Sequence, residues 1–340
     1  MAKKSFPEDY YEYDNFNYKK YIKQVPKDLS HGYVENPRNL LERIRGKEYK
    51  KVVMCGMGGS GIASDLLSLY LEEELEIISV KDYKLPSTVS DKDLVIISSY
   101  SGNTEEAISC YREARRLNAT TLIVCSGGKL ASYADQTNTP LIKLPQGYQP
   151  RAALAYSFTL FLRIFEELSL IKKKEKDVEE VVNYLGKQSF EKVAIDLSEK
   201  LVNKTPLIYT STKYSPIGFR WKTQINENAK VLSFNSIIPE LNHNEINGYV
   251  NTREGFHVIF LTFTNDFYRN KKRTEVTKKK ITRRGITSTE LEIKGNNLVN
   301  IFSAILLGDW LSYYLALRLE TNPWPVDFIE DFKKDLGPFV

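Results

Sequence analysis

The feature that most restricts this chain is a repeated junction: a short apolar run, a turn of small residues, then a helical pattern. Residues 51–55 (KVVMC) run into GMGGSG, after which Ile62, Leu66, Leu67, Leu69 and Tyr70 recur at helical spacing. Residues 94–98 (LVIIS) run into a second turn, SYSGNT, and a helix is predicted over residues 105–117. Further strands are predicted at residues 75–80, 121–125 and 139–144. Strands that are apolar throughout, rather than alternating, belong to a parallel sheet covered by helices on both faces.

The alternation resumes later. An apolar helix is predicted over residues 152–168, followed by the charged stretch IKKKEKDVEE, which suits a linker or the start of a solvated helix. Strands are then predicted at residues 207–210, 230–234, 258–262 and 285–293, and a long helix over 298–319. At 340 residues, two α/β domains are the natural division. The reading is an N-terminal arm with a first domain (1–150), a connecting helix and linker (151–176), and a second domain with a C-terminal tail (177–340).

Composition excludes several classes. Hydrophobic residues at 42% and charged residues at 27% are those of a folded chain, not a disordered one. The most apolar stretch, 298–319, carries Asp309 and Arg318, so a buried core helix is expected rather than a membrane span. Residues 1–14 show no apolar leader core, so no secretory signal is expected. Three cysteines, Cys55, Cys110 and Cys125, sit among apolar residues and suit reduced thiols in a cytoplasmic protein. The three histidines, His31, His243 and His257, have no metal-ligand spacing. The net charge of +5 is concentrated in residues 269–284, which hold nine Lys/Arg and one Glu. That run reads as a solvated helix face, and neither a nucleic-acid nor a membrane partner is expected.

Gly56, Gly58 and Gly61 fit a dinucleotide fingerprint, and Asp82 stands where a ribose-binding acid would, so an NAD(P)-dependent dehydrogenase is one reading. The second turn favours another ligand. Ser99, Ser101 and Thr104 crowd one strand-to-helix turn, and a helix cap needs only one hydroxyl. Several neutral donors at a helix N-terminus, with Gly102 leaving room, make a cradle for a phosphate monoester.

GMGGSG followed by SYSGNTEE resembles the sugar isomerase (SIS) family. VKDY at 80–83, PRAAL at 150–154, NENAK at 226–230 and PELNHNEI at 239–246 extend the resemblance to the bifunctional phosphoglucose/phosphomannose isomerases. The resemblance implies two tandem SIS domains, each doubly wound and flavodoxin-like, and a homodimer with shared active sites. It implies interconversion of glucose, mannose and fructose 6-phosphates with no metal or nucleotide cofactor. Ser99, Ser101 and Thr104 would hold the phosphate, with Gly59 and Ser60 beside them. Glu227 would be the base, Arg151 the cation beside the enediolate, and His243 the ring-opening group. Lys333, or its neighbour Lys334, would be the C-terminal site lysine. Two positions depart from the pattern: Asn242 precedes the histidine, and Trp324 stands near a threonine that relatives associate with the mannose reaction. A sugar-phosphate sensor without catalysis would share the hydroxyl turn but would need no set of Glu227, His243 and Arg151.

Overall fold

The computed structural model describes residues 6–252 and 254–339, so the first five residues of the stretch read for a leader lie outside the described residues. The chain forms two compact units. One is Gln24–Asn183 with Phe339, and the other is Tyr184–Pro338 with the segment ending at Lys23. The arm, expected with the first domain, therefore packs with the second. Phe6 meets the Tyr314 ring edge-on at 4.9 Å, and Tyr313 donates to Asp14 at 3.1 Å.

The chain enters the first unit within α1 (Tyr18–Val34), and the short α2 (Arg38–Leu41) leads into β1 (Val52–Cys55), α3 (Gly58–Tyr70) and β2 (Ile77–Val80). Then come β3 (Leu94–Ser99), α4 (Glu105–Arg116), β4 (Thr120–Cys125), α5 (Gly128–Thr137), β5 (Leu141–Lys143) and α6 (Leu154–Glu167). All strand pairs are parallel, in the order β2-β1-β3-β4-β5. Every residue of β1 and β3 is buried, as their unbroken apolar sequences require. Each fully buried Val, Leu or Ile contributes about 1.5–3 kcal/mol.

The chain passes into the second unit near the end of α7 (Glu175–Lys187), and α8 (Glu191–Leu201) precedes β6 (Thr205–Ser211), α9 (Ser215–Gln224), β7 (Phe234–Ile238) and β8 (Phe256–Phe263). The unit continues through α10 (Tyr268–Thr282), β9 (Thr287–Ile293), α11 (Asn297–Arg318) and α12 (Asp327–Leu336). This sheet is also parallel, in the order β7-β6-β8-β9. The charged stretch after α6 begins as a non-helical connection and enters α7 at Glu175. The strand expected at 230–234 begins only at Phe234, because Lys230 adopts the left-handed conformation (φ 56°, ψ 33°) that ends the preceding turn.

The helix α11 is long and apolar enough to cross a bilayer, but its apolar window is wholly buried within the protein. Asp309 is paired there with Arg220 at 3.2 Å and accepts from Gln224 at 2.6 Å. All three cysteines are buried and free. The thiol of Cys55 is pushed up by its contact with Cys110 and by burial. His257, between Phe256 and Val258, is buried. Its ring nitrogens meet Thr287 and Thr289 at 3.0 and 2.9 Å, and burial lowers its pKa to about 4.

Candidate active site

Strand order locates the first set of groups. In β2-β1-β3-β4-β5 the chain reverses direction between β1 and β3, and ligands of open parallel sheets bind at the strand ends flanking such a reversal. GMGGSG follows β1 and SYSGNT follows β3, so both turns lie at that crevice. Close backbone approach explains their glycines. A Cβ on Gly56 would lie 2.7 Å from the Ser98 carbonyl oxygen. One on Gly102 (φ +69°) would lie 1.8 Å from that of Gly127.

Hydrogen bonding then orders the hydroxyls. Thr104 is the N-cap residue of α4 but makes no side-chain cap bond. Its Oγ1 instead lies 2.8 Å from Ser99 Oγ, which also accepts from the Gly102 N–H at 3.1 Å. Ser60 Oγ accepts from the Tyr100 N–H, and Ser101 Oγ accepts from the Asn103 N–H, each at 3.2 Å. Each hydroxyl is oriented by accepting from the backbone or by its neighbour. The O–H hydrogens of Ser60 and Ser101, and one of the Ser99–Thr104 pair, have no acceptor among the described residues. Three hydroxyl donors in turns at helix starts suit a tetrahedral anion. Asp82 Oδ1 accepts from the Tyr83 N–H at 2.6 Å, so the acid of the dinucleotide reading already serves the local backbone.

The PRAAL segment packs against the first turn. A Cβ on Gly59 would lie 2.6 Å from the Pro150 carbonyl oxygen and 3.1 Å from Arg151 Cα. Arg151 is buried in the 3₁₀ turn Pro150–Ala153 and donates to Gln149 Oε1 at 3.3 Å. Its planar guanidinium, held there, can serve as a fixed cation.

The second unit holds the other groups. After α9, residues Ile225–Ala229 form one π-helical turn, a form that often marks functional sites. Three anchors fix α9 and this turn to α11. Trp221 Nε1 donates to the Ala304 carbonyl at 2.8 Å, Asp309 holds Arg220 and Gln224, and Asn228 Nδ2 donates to Ser312 Oγ at 2.9 Å. Gly308 permits the first, because any Cβ there would lie 2.6 Å from the indole nitrogen. Asn226 Nδ2 closes the other side on the Val231 carbonyl at 2.7 Å. The two asparagines of NEN thus hold the turn, and Glu227 stands half-buried between them.

His243 ends the 3₁₀ turn Glu240–His243, is exposed, and makes no hydrogen bond among the described residues. Its neighbours are fixed. Asn242 donates to Thr277 at 2.8 Å and accepts from Arg273 at 3.4 Å, while Asn244 donates to Glu240 at 2.7 Å. Lys333 and Lys334 lie exposed on α12, paired with Glu330 and Asp331 at 2.8 and 2.9 Å. Trp324 packs among aromatic residues of the arm and of α1, stacked on Phe16 at 5.7 Å and tilted to Tyr21 at 5.2 Å. At the reversal point of this second sheet, between β6 and β8, the rings of Tyr214 and Phe263 stack at 3.7 Å, and Asp266 Oδ1 accepts from the Phe267 N–H that precedes α10.

Two family descriptions match this chain. Residues 47–160 match the SIS domain, and residues 190–336 match the bacterial phospho-glucose isomerase C-terminal SIS domain. A bifunctional phosphoglucose/phosphomannose isomerase from Caldicellulosiruptor bescii is 37% identical over 334 residues, covering 93% of this chain and 98% of the relative. The chain belongs to this isomerase family. Members of the family are intramolecular oxidoreductases, and its two SIS domains are the two parallel-sheet units described above. Another bifunctional phosphoglucose/phosphomannose isomerase, from Thermoplasma volcanium, is 38% identical over 85% of this chain and 92% of its own length. The C-terminal domain of a glucosamine-fructose-6-phosphate aminotransferase from Francisella tularensis shares the fold at a TM-score of 0.70 and 14% identity, covering 95% of this chain and 99% of that one.

Proposed function

We propose that the protein interconverts glucose 6-phosphate and fructose 6-phosphate, and mannose 6-phosphate and fructose 6-phosphate, through a cis-enediolate that needs no metal. The observation that carries this reading is the cradle of Ser60, Ser99, Ser101 and Thr104, whose donors are unspent and matched to a phosphate monoester. Arginine or lysine alone would suit any anion; aligned hydroxyls suit one of defined shape.

Glu227 acts as the base. Its carboxylate takes the proton from C2 of the open-chain aldose and returns it to C1, while a proton moves between the two hydroxyl oxygens. One carboxylate is enough because the two carbons are adjacent. Arg151 offsets the negative charge that develops on the enediolate oxygens. His243 opens the sugar ring by proton transfer at the ring oxygen and the C1 hydroxyl. A lysine of α12, Lys333 in the first instance, assists at the sugar. Glucose and mannose phosphates differ only at C2, so both give the same enediolate. A sensor that only binds its ligand gains nothing from a carboxylate on a turn fixed by paired asparagines.

The protein acts in the cytoplasm as a homodimer in which His243 serves the neighbouring copy. The exposure of its ring on a fixed turn supports that assignment. The decisive experiment is a coupled assay on glucose 6-phosphate and mannose 6-phosphate with EDTA present. Wild type should turn over both, and Glu227→Gln should lose at least about 10³-fold in kcat with KM little changed. Full activity in Glu227→Gln would remove the proposed base.

A further inference from the structure

Lys230 ends the π-helical turn that carries Glu227. It sits at the position after a helical turn where glycine is the usual residue, because the left-handed conformation is costly for a residue with a Cβ. Glycine or asparagine would serve the backbone there at less cost. A lysine is explained by what its side chain reaches. The ammonium donates to the carbonyls of Glu227 at 2.8 Å, Asn228 at 3.3 Å and Asn322 at 2.9 Å. The other lysines of this unit that touch one carboxylate, such as Lys272, Lys333 and Lys334, make local pairs three residues along a helix. Lys230 instead joins two segments that are 92 residues apart.

The chemistry of that contact is specific. The last carbonyls of a helical turn have no intrahelical donors and carry partial negative charge, which a cation offsets. A π turn is wider than an α turn and leaves its closing carbonyls poorly served. The third carbonyl belongs to Asn322, whose side chain accepts from the Trp324 N–H at 2.9 Å; the Trp324 ring is in turn held by Phe16 and Tyr21. The ammonium therefore fixes the Glu227 backbone to a segment that is itself anchored.

We propose that Lys230 is a positioning residue for the base: its ammonium closes the π turn on the Asn322 segment and holds the Glu227 carboxylate in its working orientation. This rests on the assignment of Glu227 above. The cost of removing it falls on turnover, since an error of about 1 Å in a reacting group can reduce rate about 10²-fold.

The test uses the full-length protein and three substitutions. Lys230→Gly relieves the left-handed backbone and removes the ammonium, Lys230→Met removes the ammonium alone, and Lys230→Arg keeps a cation. Lys230→Gly and Lys230→Met should each lower kcat about 10- to 100-fold with KM within about twofold. Lys230→Gly should match or exceed the wild-type Tm, and Lys230→Arg should recover part of kcat. Wild-type kcat in Lys230→Gly, with Glu227→Gln inactive, overturns the inference and leaves the base in place. A parallel loss of Tm and kcat in both neutral variants, unrelieved by arginine, also overturns it. An active Glu227→Gln overturns both assignments.

Discussion

Ser99 Oγ and Thr104 Oγ1 lie 2.8 Å apart, so the N-cap threonine of α4 turns to its neighbour in the cradle and not to the helix backbone. On the proposed function, the ligand uses the same hydroxyls. Thr104→Ala should therefore cost little stability, well under the ~1 kcal/mol of a lost cap. Hydrogen bonds to a charged group contribute about 1.5–3 kcal/mol each, so KM for glucose 6-phosphate should rise roughly 10- to 100-fold. Steady-state kinetics beside a thermal melt check both. A large fall in Tm with unchanged KM would return Thr104 to a capping role.

Gly102 cannot accept a side chain. An added Cβ meets the Gly127 carbonyl oxygen at 1.8 Å in a left-handed backbone. Gly102→Ala should destabilise the first unit by about 2 kcal/mol or more and weaken phosphate protection of the native state. Urea titration with and without inorganic phosphate reads both effects.

Asp309 holds Arg220 and Gln224 in the interior of the second unit. Asp309→Leu leaves the Arg220 guanidinium buried without its carboxylate, which typically costs about 3–5 kcal/mol. The midpoint of urea unfolding should fall accordingly. Combining Asp309→Leu with Arg220→Met should recover much of the loss, because an unpaired buried charge costs more than an absent pair.

His257 is held neutral by burial, with its pKa lowered to about 4 from the ordinary value of 6.5. The unfolded chain binds the proton first as pH falls. Its contribution is thus fully present above about pH 6.5 and is lost progressively down to about pH 4. Urea unfolding across that window should show falling stability, with a shallower slope in His257→Gln. Identical slopes would remove His257 as a source.

If His243 serves the neighbouring copy, Glu227→Gln and His243→Ala chains should each be inactive alone. Refolded mixtures should regain up to about one quarter of wild-type turnover, from the statistical share of heterodimers with one intact site. No recovery in a verified mixed dimer would place both groups in one chain.

The first unit was largely readable because its signals are local. An apolar run as long as a strand, followed by glycines and hydroxyls, specifies a parallel strand end and its turn without reference to distant residues. The second unit was less so. Val231 and Leu232 look like a strand, yet Leu232 is 72% exposed and the strand starts at Phe234, because Lys230 turns the backbone into the left-handed conformation and its ammonium is bound to the Asn322 carbonyl far along the chain. Nor does any local pattern show that Asp309 belongs with Arg220, that the arm packs by Tyr313 and Tyr314, or that Thr104 is not a cap.

Residue order by itself determined the alternation of strands and helices, the two turns at the first sheet's reversal point, and the types of group available for chemistry, since all of these follow from near-neighbour periodicity and turn stereochemistry. Tertiary structure alone decided which hydroxyls keep a hydrogen to give, which side chains hold Glu227, and which lysine closes its turn. Those properties depend on pairings between segments up to 92 residues apart, and hydrogen-bond direction at such pairings has no signature in a local stretch of chain.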